Sequence, residues 1–279
     1  MLPDKIKIRR SFSEAASTYD SSSGLQMEVA DELAAMAAGL AARKEYACQP
    51  SLAPMPVFAG TDHLVLDIGC GTGRLIGSLK RSFPGSIVLG SDIALPMVMK
   101  ARENLKACGG LTVSDCESLP FMDSIFDMVV SSLTYQWTDI SASISEAQRV
   151  LKPGGLFLFS TLGPMTLREL RECTGAGAPA AFKDAVEVSS ELKRAGFEEA
   201  ASGRKTIVKR YGSLKELART LKNIGAAPRP SGCRDKGLSK GAPLRRAGAA
   251  YEERFPSPEG GIVATYEIIF ASGVKGAAL

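Results

Sequence analysis

From residue 64 onward, short apolar runs alternate with helix-length amphipathic stretches. Residues 64–68 read Leu-Val-Leu-Asp-Ile, and a nearly continuous apolar run of this length predicts a strand buried in a parallel sheet. A helical stretch follows at 74–83. Pro84-Gly85 ends it, and a second apolar run at 87–90 closes on Asp92. The alternation continues with a helix at 96–107 and a short strand at 111–113. A fourth strand is expected at 126–131 and then 133–137, and a fifth at 155–161. The fifth follows Lys152-Pro153-Gly154-Gly155, where proline and two glycines stop a helix and turn the chain into a strand. Five β-α units in succession predict an α/β fold with a doubly wound, mostly parallel sheet and right-handed crossovers.

The flanks carry weaker patterns. Before the sheet, residues 6–12 read as one helix. Leu25, Val29, Leu33 and Met36 then recur at helical spacing, with Ser21, Ser22 and Ser23 as candidate N-caps. Residues 46–60, rich in proline and alanine, read as a linker. After residue 161 come helical patches at 166–172 and 189–195, a strand at 206–209, and a helix at 214–223 stopped by Gly225. A Pro/Gly-rich stretch covers 226–243, a helix covers 244–255, and a closing strand covers 262–271. The expected organisation is therefore an N-terminal helical lid and linker over 1–60, then one domain over 61–279. That domain has a seven-stranded sheet and a cap insert at about 212–257.

Composition narrows the class. The 279 residues suffice for one large domain or a domain with a cap. No apolar run approaches the ~20 residues of a membrane span, so no membrane partner is expected. The start has no apolar signal core, which predicts a cytoplasmic protein. Six scattered cysteines form no Cys-x-x-Cys pair, so neither a metal site nor a disulfide framework is indicated. The single histidine, His63, precedes the first strand and reads as a surface residue, at the wrong end for catalysis. The net charge of +4 is concentrated in the last third, from Arg204 to Arg246. Such a cluster can steer an acidic partner. No nucleic-acid motif accompanies it, so nucleic acid is not the expected partner.

The chemistry is concentrated after the first strand. Asp67 precedes Gly69, Gly71 and Gly73, and glycines at a strand's carboxyl end let backbone approach a ligand closely. This D-x-G-x-G-x-G order resembles the S-adenosylmethionine (SAM) loop of class I methyltransferases. The resemblance extends through Asp92, Asp115 and Leu151-Lys152-Pro153-Gly154-Gly155, covering about residues 64–162. It implies a Rossmann-like fold with SAM as cofactor. Asp67 is then expected near the cationic methionine end, Asp92 on the ribose diol and Met97 against the adenine. Asp115 or its neighbours, with Cys116 and Leu133, would complete the cofactor set; no metal is implied. Cys70, within the loop, is expected only to pack.

A narrower match covers nearly the whole chain. Residues 8–12 (Ile-Arg-Arg-Ser-Phe), 15–20 (Ala-Ala-Ser-Thr-Tyr-Asp), 115–120 (Asp-Cys-Glu-Ser-Leu-Pro), 133–137 (Leu-Thr-Tyr-Gln-Trp) and 220–226 (Thr-Leu-Lys-Asn-Ile-Gly-Ala) carry it. On these segments the chain resembles the biotin-synthesis methyltransferases that act on malonyl-acyl carrier protein. One departure is Ser132, where that family usually has Asn. The resemblance implies methylation of the free carboxylate of a malonyl thioester, on acyl carrier protein or CoA. The ester hides the charge, so fatty-acid synthesis can elongate the chain toward pimelate. A malonyl carboxylate is already ionised at pH 7, so no general base is required. Tyr19 and Gln136 are expected to donate to substrate oxygens, Trp137 to wall the pocket, and Arg149 to pair with the carboxylate or else form a helix-end salt bridge. The basic last third is expected to dock the carrier. Two other readings share the same loop: methylation of a small molecule such as a quinone precursor, and a non-catalytic assembly factor that keeps the fold. The oligomeric state has no signature in the sequence.

Overall fold

A computed structural model describes residues 4–46, 63–106, 110–174, 182–226 and 242–276. Three helices come first: α1 (Lys5–Ala15), α2 (Tyr19–Ser22) and α3 (Gly24–Tyr46). The alternating core follows as β1 (Leu64–Ile68), α4 (Arg74–Ser82), β2 (Ile87–Asp92), α5 (Leu95–Leu105), β3 (Leu111–Val113) and β4 (Phe126–Ser132). A 3-10 turn, Tyr135–Trp137, leads to α6 (Ile140–Val150) and β5 (Leu151–Leu162). Then come α7 (Arg168–Thr174), α8 (Ala185–Arg194), β6 (Phe197–Tyr211), α9 (Leu214–Asn223), α10 (Ala242–Arg254) and β7 (Ile262–Lys275).

The seven strands form one sheet in the order β3-β2-β1-β4-β5-β7-β6. Pairing is parallel from β3 to β5, and β7 is antiparallel to both β5 and β6. The winding reverses between β1 and β4, and open α/β sheets bind ligands at the carboxyl ends of strands beside such a reversal. Side-chain alternation explains why these strands read as continuous apolar runs. Met128, Val130, Leu156 and Leu158 join one core with Val29, Leu33 and Ala37 of α3 and Leu75 and Leu79 of α4. Their neighbours Val129, Phe157 and Phe159 face the other core, with Ile144 and Ala147 of α6 and Val188 and Leu192 of α8. Strands covered on both faces are apolar at every position.

Most expected elements stand where the pattern puts them, and the differences have physical causes. The chain at 133–137 does not extend β4: Leu133 turns at φ 51° and the next residues form the 3-10 turn. The strand expected at 206–209 runs from Phe197 to Tyr211. It is the sheet edge and mostly exposed, so its side chains lack a clear alternation while its backbone pairs along β7. The charges it carries, Arg204, Lys205, Lys209 and Arg210, suit an edge that must not recruit another strand. Tyr46, the first residue of the expected linker, still belongs to α3; the rest of that linker, to 60, and most of the Pro/Gly stretch at 226–243 lie outside the described residues.

Candidate functional site

The glycine loop after β1 is shaped by hydrogen bonds to β2. The amides of Gly69 and Cys70 both donate to the Ser91 carbonyl, at 2.7 and 2.9 Å. The Gly71 amide donates to Asp92 Oδ2 at 3.0 Å, and the Ala94 amide donates to Asp92 Oδ1 at 2.8 Å. Asp92 thereby ties the loop to the start of α5. Gly69 has φ 70°, and a Cβ there would lie 2.1 Å from Thr134 Oγ1. Gly73 opens α4 at φ 89°, where a Cβ would run into Leu105. Only glycine fits these two positions without strain.

Asp67 differs in its partners. It is 1% exposed, and neither carboxylate oxygen finds a donor among the described residues. Burial pushes its carboxyl well above the usual range, and the charge of Asp92 adds to this. Burial raises Asp92 as well, but the amides of Ala94, Gly71 and Ile93 pull it back.

Two clefts meet above the loop and share Tyr19, Gly69, Gly71 and Ser132. One reaches Asp67 and the loop from Gly69 to Gly73. The other is lined by Asp92, Met97, Asp115, Cys116, Leu133 and Trp137. Met97 is buried and packs with Ala15, Ala16 and Ala94. Trp137 meets Phe12 of α1 edge-on, with ring centroids 5.6 Å apart. Leu133, at positive φ, forms the lip of the cleft, its amide donating to the Ser160 carbonyl. Cys116 lies 3.5 Å from Ser143 Oγ, and burial pushes its thiol up to about 12, so it stays protonated at neutral pH. Tyr19 is half-buried, and burial raises its phenol, followed by the charges of Asp92 and Asp20. It therefore remains a neutral donor.

Two residues expected at the site are placed elsewhere. Gln136 is buried and lines neither cleft. Its Nε2 donates to the Leu133 carbonyl at 2.6 Å and its Oε1 accepts from Thr161 Oγ1 at 3.2 Å, so it fixes the lip from behind. Arg149 lies at the amino-terminal entry to β5, away from the strand tips. Its guanidinium bonds Glu146, Asp123 and the carbonyls of Leu119 and Phe121. The helix-end salt bridge is what forms, and the substrate-carboxylate role is corrected. His63 occupies the same kind of position before β1 and is half-buried rather than on the surface.

Several lining residues carried no role in the sequence reading. Asp20 accepts from Thr72 Oγ1 at 2.6 Å and from Asn104 Nδ2 at 3.0 Å, pinning α2, and with it Tyr19, to the glycine loop. Lys5 and Glu117 line the cleft beside Asp115, with Lys5 bonding both acids. Asp20, Phe12 and Glu117 fall inside runs that carried the family resemblance; Lys5 had no local signal.

The residues fit the cofactor expected from the sequence. A partnerless buried carboxylate suits a ligand ammonium, since an unpaired buried charge is costly. Each Asp92 oxygen accepts one amide and keeps a lone pair for a diol. Met97 and Ile93 offer apolar walls for a flat ring.

Comparison with known proteins adds an independent line. Residues 66–159 match the family described as a methyltransferase domain. The chain is 34% identical to a malonyl-[acyl-carrier protein] O-methyltransferase of Methylovorus sp. (strain MP688), over 98% of this chain and 90% of that protein. It is 35% identical to the biotin biosynthesis bifunctional protein BioHC of Teredinibacter turnerae, over 95% of this chain and 46% of that longer protein. Among solved structures, the YcgJ protein of Bacillus subtilis superposes with a TM-score of 0.56 at 17% identity, covering 78% of this chain and 94% of that one. This last likeness concerns the fold alone.

Proposed function

The chain belongs to the malonyl-[acyl-carrier protein] O-methyltransferase family, and on that premise we propose that it esterifies the free carboxylate of a malonyl thioester carried by acyl carrier protein, with SAM as cofactor. When bound, SAM supplies a methyl group on a sulfonium. Asp67 pairs with the cofactor's ammonium, Asp92 accepts from the ribose hydroxyls, and Met97 walls the adenine. Gly69 and Gly71 bring backbone, without side chains, against the ligand. The structural observation that carries the reading is Asp67, buried beneath a glycine loop and without a hydrogen-bond partner among the described residues. The identity of the acceptor comes from the family.

The acceptor carboxylate is ionised at pH 7, so the chain has only to hold it in line and keep water out. Tyr19 is the donor to acceptor oxygens, because its raised phenol keeps the proton. Trp137 and Phe12 close the apolar side. Gln136 acts from behind, by holding Leu133. The esterified product supplies the masked chain from which biotin's pimelate is built.

The basic last third narrows to a smaller docking face. Lys205, Lys209 and Arg210 are engaged by Glu32, Glu28 and Glu259. Lys215, Arg219 and Lys222 stand exposed on α9, opposite the buried Leu214, Leu217 and Leu221. The end of α9 packs on the lid: Thr18 Oγ1 donates to the Asn223 carbonyl at 3.0 Å, and Asn223 Nδ2 donates to Ser22 Oγ at 3.1 Å. An acidic carrier on this face would sit beside the cleft. Among the described residues no helix is long and apolar enough to cross a membrane, and a cytoplasmic site of action belongs to the same reading.

The direct test incubates purified protein with methyl-labelled SAM and either malonyl-acyl carrier protein or malonyl-CoA, with mass spectrometry for a base-labile methyl ester. An ester on the carrier, formed at a rate that falls steeply with salt, is the expected result. SAM binding without any ester would move the acceptor to another molecule, such as a quinone precursor, or the chain to a non-catalytic role.

A further inference from the structure

Helix α1 roofs the cofactor cleft, and a single cation fastens its first turn. Lys5 Nζ lies 2.6 Å from Asp115 Oδ2 and 2.6 Å from Glu117 Oε2, across 110 residues of sequence to Asp115. Both acids line the cleft. Their remaining oxygens are already committed: Asp115 Oδ1 accepts from the Glu117 amide at 3.0 Å, and Glu117 Oε1 accepts from the Asp139 amide at 2.9 Å. The 115–117 turn is therefore a fixed receptor that presents two carboxylate oxygens to one ammonium.

Among the described residues, little else holds this end of the helix. Within α1 only Ala15 is buried, and Phe12 and Ala15, which reach Trp137 and Met97, lie in its second half. The other ion pairs of α1, Lys7 with Asp4 and Arg10 with Glu14, are local to its own neighbourhood. An isolated helix of 11 residues is marginal in water, so its closed position depends on tertiary contacts. Ile8 and Phe12 line the same cleft, so opening the first turn would uncover whatever the cleft holds.

We propose that Lys5 is a latch: its paired bonds to Asp115 and Glu117 hold α1 shut over the cofactor and set how long the cofactor stays bound. The proposal rests on the assignment of this cleft to SAM. Lys5 is a positioning residue here, acting through α1 on cofactor residence and not on the transferring methyl. With its side chain 41% exposed, the latch is accessible to salt.

Trp137, the chain's single tryptophan, sits against Phe12 of α1 and reports on the lid by fluorescence. Stopped-flow release of SAM and of its demethylated product would be followed in the full-length wild type, Lys5→Met, Lys5→Arg and Lys7→Ala. Lys5→Met is expected to release roughly fivefold faster, the scale of a partly exposed ion pair. Lys5→Arg restores slow release, and Lys7→Ala matches wild type. Added salt should speed wild-type release and leave Lys5→Met unaffected. In the ligand-free proteins, amides of α1 should exchange hydrogen faster in Lys5→Met than in wild type. Equal release and equal exchange in wild type and Lys5→Met would overturn the latch. A wild type that binds no SAM would instead remove the functional reading, and the ligand-free exchange would still decide whether Lys5 holds the helix.

Discussion

The tips of β1 and β2 each carry an aspartate beside the same loop, Asp67 buried and Asp92 half-buried, and the protein treats them differently. Asp92 is spent on the fold: its two oxygens accept the Gly71 and Ala94 amides and give the loop its shape before any ligand arrives. Asp67 is kept in reserve, with no donor on either oxygen among the described residues. A satisfied buried carboxylate stabilises the structure around it, while an unsatisfied one lowers stability until a cation binds. The same division separates Tyr19 from Arg149. Among the described residues the Tyr19 hydroxyl has no hydrogen-bond partner, whereas Arg149 is saturated by Glu146, Asp123 and two carbonyls. Groups that wait for a ligand mark the site, a saturated group such as Arg149 marks its scaffold, and Asp92 does both, shaping the loop while each oxygen keeps a lone pair for the ligand.

The largest effect is expected at Asp67. Asp67→Asn should weaken SAM binding roughly a hundredfold or more, because the ligand's cation loses its buried partner. The ligand-free protein should at the same time melt higher, having shed an unpaired charge. Calorimetric titration and thermal melts read the two arms. The pH dependence follows the same logic. Burial raises the folded carboxyl above its unfolded value of about 4. The unfolded chain therefore releases its proton first as pH rises, so this group's contribution to stability is full in acid and lost as pH climbs through the folded value. SAM affinity should rise over that interval as Asp67 ionises. Both trends should vanish in Asp67→Asn.

Asp92→Ala breaks the comparison from the other side. Removing the acceptor for the Gly71 and Ala94 amides should cost about 1–3 kcal/mol of stability, and SAM affinity should fall with it. A higher melting temperature in both aspartate variants would erase the distinction between them. Tyr19→Phe should lower kcat about tenfold, the worth of one hydrogen bond to a charged acceptor, with SAM affinity nearly intact. Steady-state kinetics with a carrier-linked substrate would separate those quantities. The smallest functional effect is expected at Arg149. Arg149→Ala should lower stability by about 1 kcal/mol and leave the kinetics of the malonyl substrate alone. A selective rise in KM for the malonyl thioester would put Arg149 back at the site.

The residues of the glycine loop were legible because their chemistry is local. Strand, turn and helix N-terminus are consecutive there, and Gly69 and Gly73 are required by backbone angles that no other residue adopts cheaply. Arg149 misled because a charge at a helix end reads the same whether it faces a ligand or a loop. The rule that sets His63 aside applies to it too, since both precede their strands. Gln136 misled for a different reason: its bond to Thr161 joins residues 25 apart that meet only once β5 lies beside β4. Lys5 could not be found at all, because a lysine in a polar first turn is indistinguishable from a solvated one.

The alternating α/β frame, the loop at the tip of β1 and the two aspartates flanking it can be read from the order of residues along the chain. Each rests on contacts between residues close in the chain, or on burial of both sheet faces, which leaves an apolar run to read. Tertiary structure alone decided which polar groups were consumed and which stayed free. It left Asp67 without a partner among the described residues, gave Asp92 two amides, turned Arg149 and Gln136 into scaffold, and brought Lys5 onto Asp115 and Glu117. Whether a buried charge has a partner depends on neighbours supplied by distant strands and helices, and that pairing exists only once the sheet has closed.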